Sequence, residues 1–191
     1  MDEKIRVGFA LCGSFCTFSA VLPVLKQLVE KGYDVQPIMS DTAYETDTRF
    51  GNAEDFNKTI KDICGKDIIH TIKAAEPIGP KKMLDILVVA PCTGNTLAKL
   101  AAGIADTSVT LAAKAHMRNG KNIVVAVSSN DALAANAKNI GMLLNSKHYY
   151  LVPMKQDDPE NKPRSVVADM KMIIPTLEAA LENRQIQPIF I

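Results

Sequence analysis

Residues 85–106 read DILVVAPCTGNTLAKLAAGIAD. Asp85–Ala90 is one acidic residue followed by an unbroken apolar run rich in β-branched side chains. That is the pattern of a strand covered on both faces, as strands of parallel sheets are. Pro91–Asn95 interrupts the run with proline, glycine and asparagine, residues that turn the chain sharply. Thr96–Ala102 returns to good helix formers, and Gly103 stops them. Buried strand, polar turn and helix make half of a βαβ unit. In an open parallel sheet, ligands bind beyond the carboxyl ends of the strands, so this stretch indicates both the fold class and the place to look for a site.

The flanking sequence repeats the theme. Ile5–Leu11 reads as a strand, Cys12-Gly13-Ser14 as a sharp turn, and Leu22, Leu25, Leu28 and Val29 as one helical stripe ending at Gly32. Pro23 suits a first helical turn, which places the helix start between Ser19 and Leu22. Asp34–Met39 is a second strand and Ser40–Gly51 a polar loop. Asn52 and Asp55 resemble a cap for a helix ending at Gly65. Ile68–Ile69 reads as a short strand and Glu76–Lys82 as a loop. Beyond residue 106 come a helix (Ser108–Asn119), a strand (Asn122–Ser128), a helix (Asp131–Asn145) and a strand (Tyr149–Pro153). A charged, proline-containing loop (Lys155–Pro163) follows, then a helical stretch (Ser165–Asn183) split or kinked at Pro175. This alternation predicts one α/β domain over residues 1–191. It is a doubly wound, Rossmann-like, flavodoxin-type parallel sheet with helices on both faces, a three-layer sandwich. No linker, repeat or low-complexity tract divides it.

Composition narrows the function. The 22 basic and 21 acidic residues leave a net charge of +1, and there is no Trp. An electrostatic footprint for nucleic acid or anionic membrane is therefore missing, as is an aromatic platform for stacking bases. The N-terminal stretch MDEKIRVGFALCGSF has a short apolar part and no cleavage-site pattern, which predicts a cytoplasmic protein without signal peptide or membrane span. Cys12 and Cys16 lack a second Cys/His pair to complete a zinc site. With Cys64 and Cys92 they read as packing residues; the alternative is that Cys12 and Cys92 line a pocket.

The loops at the strands' carboxyl ends are Cys12–Thr17, Ser40–Gly51, Pro91–Thr96, Ser128–Asp131 and Met154–Pro163, and the first and third are the most informative. In Cys12-Gly13-Ser14-Phe15-Cys16-Thr17 the glycine lets the backbone come close to a ligand. Ser14 and Thr17 offer hydroxyls, and the following helix start offers free N–H groups, a combination that suits a phosphate. It is neither a Walker loop nor GxGxxG. In Pro91–Thr96, the side chains of Thr93, Asn95 and Thr96 offer donors and acceptors above the sheet.

The Pro91–Thr96 loop, with Lys99, Gly103 and Asp106 behind it, resembles the Pro-Ala-Thr-Ala-Asn-Thr…Ala-Lys…Gly-Ile-Ala-Asp signature of the flavoprotein family that includes FMN-dependent cysteine decarboxylases and prenyltransferase-like proteins. The resemblance runs from Ile5 to about Pro153. It implies an FMN site in which Gly13 and Ser14 help hold the phosphate, with Phe15 and Thr17 beside them as further cofactor-binding candidates. Pro91, Thr93, Asn95 and Thr96 would lie against the flavin, and Ser128, Ser129 and Asn130 would complete the site. It also implies a homo-oligomer, a trimer or a multiple of trimers. The sequence departs from the decarboxylases in four respects, one being that Cys92 and Gly94 stand where alanines are usual. Ser40–Phe50 has no histidine, Ser128-Ser129-Asn130-Asp131 replaces a Pro-x-Met-Asn motif, and no cysteine-bearing flap is recognisable. Decarboxylation is not supported.

The C-terminal half resembles a narrower group, the dipicolinate synthase B subunits, through Ser129-Asn130-Asp131, Asn136, Asn139, Gln156-Asp157-Asp158-Pro159 and Lys162-Pro163. That resemblance implies formation of dipicolinate from dihydrodipicolinate, or its hydrated form, in the mother cell of a sporulating bacterium. It also implies an A subunit as partner, carrying an NADP-type dinucleotide. Arg49, Lys155 and Lys162 are candidates for the substrate carboxylates. Asp157 and Asp158 could orient those cations, and no metal is expected. An FMN-binding decarboxylase-like enzyme and a non-catalytic scaffold subunit are the alternatives.

Overall fold

A computed structural model of the chain describes residues 4–191. Strands β1 (Arg6–Leu11), β2 (Asp34–Met39), β3 (Ile86–Cys92), β4 (Ile123–Ser129) and β5 (Tyr149–Leu151) pair in parallel in the order β2-β1-β3-β4-β5. This is the doubly wound order expected from the sequence. Every residue of β3 is buried, as its uninterrupted apolar run requires. The helices form two packed groups. The first holds α1 (Phe18–Glu30), α2 (Asp41–Glu45), α3 (Ala53–Cys64) and α8 (Ile173–Leu181). The second holds α4 (Ile72–Ala75), α5 (Gly94–Ala102), α6 (Ser108–Met117) and α7 (Ala137–Leu144). One hydrophobic cluster, running from Val7 to Ala180, joins both groups to the sheet.

The largest departure from the sequence reading lies near the C-terminus. Lys155–Pro163 is no loop, and the helix expected from Ser165 does not begin there. Instead β6 (Met154–Asp158) and β7 (Lys162–Ala168) form an antiparallel hairpin, and β7 pairs antiparallel with Ser128 and Ser129 of β4. β4 is thus divided. Its first half, Ile123–Val125, pairs with β5, and its last two residues pair with the hairpin. The sheet has seven strands and is mixed.

Smaller corrections have local causes. A 3-10 turn over Phe15–Thr17 runs straight into α1, so the helix starts at Phe18 and Pro23 lies inside it. Ser19, whose carbonyl loses its partner at Pro23, is exposed to solvent. Ser40 caps α2 by accepting from the Ala43 N–H at 3.3 Å, which makes part of the expected loop helical. Helix α3 ends at Gly65 in the left-handed region (φ 63°), as anticipated, but the Asn52 side chain does not cap its start; Asp47 Oδ1 accepts the Ala53 N–H at 2.8 Å instead. Ile69 makes only an isolated bridge to Ile38. Part of Glu76–Lys82 is a 3-10 turn. Asp131–Asn136 is a series of turns, and only Ala137–Leu144 is helical. Pro175 sits in the first turn of α8, where it is tolerated.

Candidate functional site

The carboxyl ends of β1, β3 and β4 open onto a cleft of about 760 Å³, within the ~300–1,000 Å³ range of small-molecule and cofactor sites. Gly13, Ser14, Phe15, Cys16 and Thr17 line it from the turn after β1, and Thr93 and Gly94 from the start of α5. Ser128, Ser129 and Asn130 line it from the end of β4, and Thr48 and Phe50 from the segment before α3. The hairpin closes the remaining side with Asp157, Lys162, Ser165, Val166 and Val167.

Hydrogen bonds hold these loops together. Ser14 Oγ and Ser128 Oγ share one at 2.9 Å, tying the β1 turn to the end of β4. Thr17 Oγ1 donates to the Ser14 carbonyl at 2.7 Å and fixes the turn. Thr93 caps α5, accepting the Thr96 N–H at 3.2 Å, and its own hydroxyl donates to Thr96 Oγ1 at 3.1 Å. At the cleft wall Ser129 Oγ donates to Asp131 Oδ1, and behind it Asn136 Nδ2 reaches both Asp131 oxygens at 2.9 and 2.8 Å. Gly94 abuts this group. A Cβ there would stand 2.5 Å from Ser129 Oγ, 2.6 Å from Asp131 Oδ1 and 2.7 Å from Asn136 Nδ2. Only glycine fits.

Not every sequence candidate reaches the cleft. Pro91 is buried at the end of β3, Thr96 is buried under its cap, and Asn95 is exposed on the first turn of α5. Arg49 is exposed, with its guanidinium 4.9 Å from the centre of the Phe50 ring, and Lys155 is exposed on β6; neither lines the cleft. Lys162 does, bound to Asp157 Oδ2 at 2.9 Å. The Asp157 carboxylate raises Lys162 above the usual lysine range, with Asp158 and Cys16 contributing less. Cys12 and Cys92 are wholly buried and do not line the cleft, whereas the exposed Cys16 does. Burial pushes the Cys12 thiol up to about 11 and Cys92 well above its ordinary value, so both are neutral packing groups. The sequence reading overlooked Ser165, Val166 and Val167, which it placed in a helix. From the Ser40–Gly51 loop it singled out Arg49, whereas Thr48 and Phe50 are the residues that reach the cleft.

The three histidines lie elsewhere. His70 stacks on Tyr44 with centroids 3.7 Å apart, His116 Nε2 is 3.0 Å from the Asn122 carbonyl, and His148 Nδ1 is 2.8 Å from Asn122 Oδ1. Among the described residues no group of metal-binding side chains converges, and no helix is long and apolar enough to cross a membrane.

The Flavoprotein family profile matches residues 1–176. The B subunit of dipicolinate synthase from Bacillus subtilis (strain 168) is 44% identical over 97% of this chain and 93% of its own length. The chain belongs to the flavoprotein family, among the dipicolinate synthase B subunits. Within this family, the crystal structure of the dipicolinate synthase B subunit from Bacillus halodurans C superposes with a TM-score of 0.91. It is 44% identical, with 100% of this chain and 98% of that one covered. The FMN-dependent cysteine decarboxylase SpaF, at 23% identity, has a TM-score of 0.69 over 92% of this chain and 97% of its own. That likeness shows a common flavoprotein fold.

Proposed function

We propose that this chain is the B subunit of a dipicolinate synthase. It would act with an A subunit to oxidise dihydrodipicolinate, or its hydrated form, to dipicolinate in the cytoplasm of a sporulating mother cell. The observation that carries this reading is the 44% identity to a dipicolinate synthase B subunit along 97% of the chain. The cleft suits the chemistry. It is roomy and lined by hydroxyls and the Asn130 amide, and among the described residues Lys162 is the cation in its lining that could meet a carboxylate.

The residues present also fit FMN. The Cys12–Thr17 turn brings Gly13, the Ser14 hydroxyl and the first N–H groups of a helical segment to one end of the cleft, an arrangement suited to a phosphate. Phe15, Phe50, Val166 and Val167 give apolar surface for a ring, and Thr93, Ser128 and Asn130 give polar contacts beside it. A bound flavin would supply a two-electron acceptor for the aromatisation. In the same reading NADP is carried by the A subunit, and the chain assembles as a homo-oligomer, a trimer or a multiple of trimers. The decarboxylase alternative draws no support from the cleft, which among the described residues has no histidine in its lining.

The test mixes the purified chain with the A subunit, dihydrodipicolinate and NADP, and follows dipicolinate by its ultraviolet absorbance. Dipicolinate formation that needs both chains is expected. Formation by the A subunit alone at the same rate would sink the reading. Formation that needs this chain but ignores cleft substitutions would make it a scaffold. Flavin absorbance retained after gel filtration with FMN would support the cofactor assignment, and its loss would remove FMN from the scheme.

A further inference from the structure

The carboxylate of Asp131 lies just behind the cleft wall and orders the protons of its neighbours. A carboxylate only accepts hydrogen bonds. Asn136 therefore turns its NH₂ toward Asp131, at 2.9 and 2.8 Å from the two oxygens. Its amide oxygen is left to accept from Asn139 Nδ2 at 2.8 Å. Asn136 and Asn139 are 6% and 8% exposed, so water does not compete with this ordering. The second side chain on the carboxylate is Ser129, whose hydroxyl gives its single proton to Oδ1. One of its lone pairs accepts the Asp131 N–H at 3.4 Å, so what Ser129 has left is a single lone pair. The absence of a side chain at Gly94 lets the three polar atoms meet against the cleft wall. The segment carrying Asp131 is anchored as well: Asn136 N donates to the Asp131 carbonyl at 3.3 Å, and Leu133 N donates to the carbonyl of Arg164 in the hairpin at 3.0 Å.

We infer that Asp131 is a positioning residue that fixes Ser129 as an obligate hydrogen-bond acceptor in the cleft wall, so that the cleft selects ligands carrying an N–H or O–H at that point. This rests on the proposal that the cleft takes a ring dicarboxylate. A ring nitrogen with only a lone pair, as in aromatic dipicolinate, meets lone pair with lone pair there. A protonated ring nitrogen or a ring hydroxyl of the unoxidised substrate is held. The arrangement thus favours substrate over product. The Ser14–Ser128 pair is not constrained in this way, because either hydroxyl can donate.

Two planar dicarboxylates separate the alternatives: pyrrole-2,5-dicarboxylate, whose ring presents an N–H, and pyridine-2,6-dicarboxylate, whose ring presents a lone pair. Their affinities for the full chain are measured by calorimetry. The native chain should bind the pyrrole about tenfold more tightly, the discrimination expected of one buried hydrogen bond made or opposed. Ser129→Ala should bring the two affinities within about twofold. Ser129→Thr, which keeps the hydroxyl, should restore the preference. Asp131→Asn, whose amide can donate to Ser129 and free its proton, should shrink or reverse the ratio. A merely structural role would weaken both probes together and leave the ratio alone, and that result overturns the assignment. So does equal binding of the two probes by the native chain. Binding of neither probe would overturn the dicarboxylate reading of the cleft, and the assignment with it.

Discussion

The two ends of the sheet use polar residues in opposite ways. At the amino end of β4, Asn122 is saturated. Its side chain donates to the Ala180 carbonyl at 2.6 Å and to Asn183 Oδ1 at 2.9 Å, while its Oδ1 meets His148 Nδ1 at 2.8 Å. Its carbonyl is 3.0 Å from His116 Nε2. Nearby, Arg6 forms a bidentate pair with Asp85 through Nε at 3.0 Å and an NH2 nitrogen at 2.8 Å, and this holds the Asp85 carboxyl below its usual range. At the carboxyl end the hydroxyls bond to one another and still face open space. The first arrangement joins β4 to α6, to the turn before β5 and to the end of α8. The second leaves hydrogen-bonding capacity for a ligand. Polar residues of similar chemistry hold the fold at one end and form a candidate site at the other, and burial decides which.

Substitution at the saturated end should produce the largest effect. Asn122→Leu strands the Ala180 carbonyl, Asn183 and His148 together. It should cost about 3–4 kcal/mol in urea denaturation, while ligand affinity, measured well below the melting temperature, stays unchanged. If affinity falls in parallel, the two ends are not independent.

The buried His116 comes next. Burial lowers its pKa from 6.5 to about 4. Because the unfolded chain then takes up the proton first, stability is full above pH 6.5 and drains away as the pH falls from there to about 4. The loss should be on the order of 2–3 kcal/mol, and His116→Gln should flatten that part of the stability–pH curve. A curve of unchanged slope in the variant would show that His116 is not the group responsible.

At the cleft, Gly94→Ala forces a methyl onto three polar atoms. Overpacking there should cost about 2 kcal/mol, with dicarboxylate binding weakened at least tenfold. Native-like binding would mean that the group around Asp131 does not shape the cleft. The mildest change is Lys162→Ala. Its partner Asp157 is solvent-exposed, so the melting temperature should not move, whereas dicarboxylate affinity should fall several-fold at low salt and less at high salt. A shift in melting temperature without a change in affinity would make the Lys162–Asp157 pair structural.

What the sequence revealed follows the same division. Strands buried on both faces announce themselves through runs such as Ile86–Ala90, and the turns that follow them through Gly13, Gly94 and the hydroxyl residues beside them. The β6–β7 hairpin gave no such signal. Its outer residues, from Lys155 to Arg164, are largely exposed, so no alternation of apolar and polar marks them. Pro159 and Pro163 among charged residues read as a loop. The inner part, Ser165–Ala168, is a strand because it pairs with Ser128 and Ser129, a long-range contact that local pattern does not encode. The signal available was the adjacent pair Val166–Val167, which suits a strand better than a helix. Thr48 and Phe50 were hidden for the related reason that only the chain's return toward Gly13 brings them to the cleft.

The division of β4 between two neighbours bears on how this architecture could diversify. Ile123–Val125 is bound into the parallel ladder with β5, while Ser128 and Ser129 are lent to the hairpin. Insertions, deletions or grafts between Asp158 and Lys162 would rewrite one side of the cleft while the ladder beneath keeps every one of its rungs. A lineage, or a protein engineer, could therefore change the guest by editing a few residues at the hairpin tip and leave the house standing.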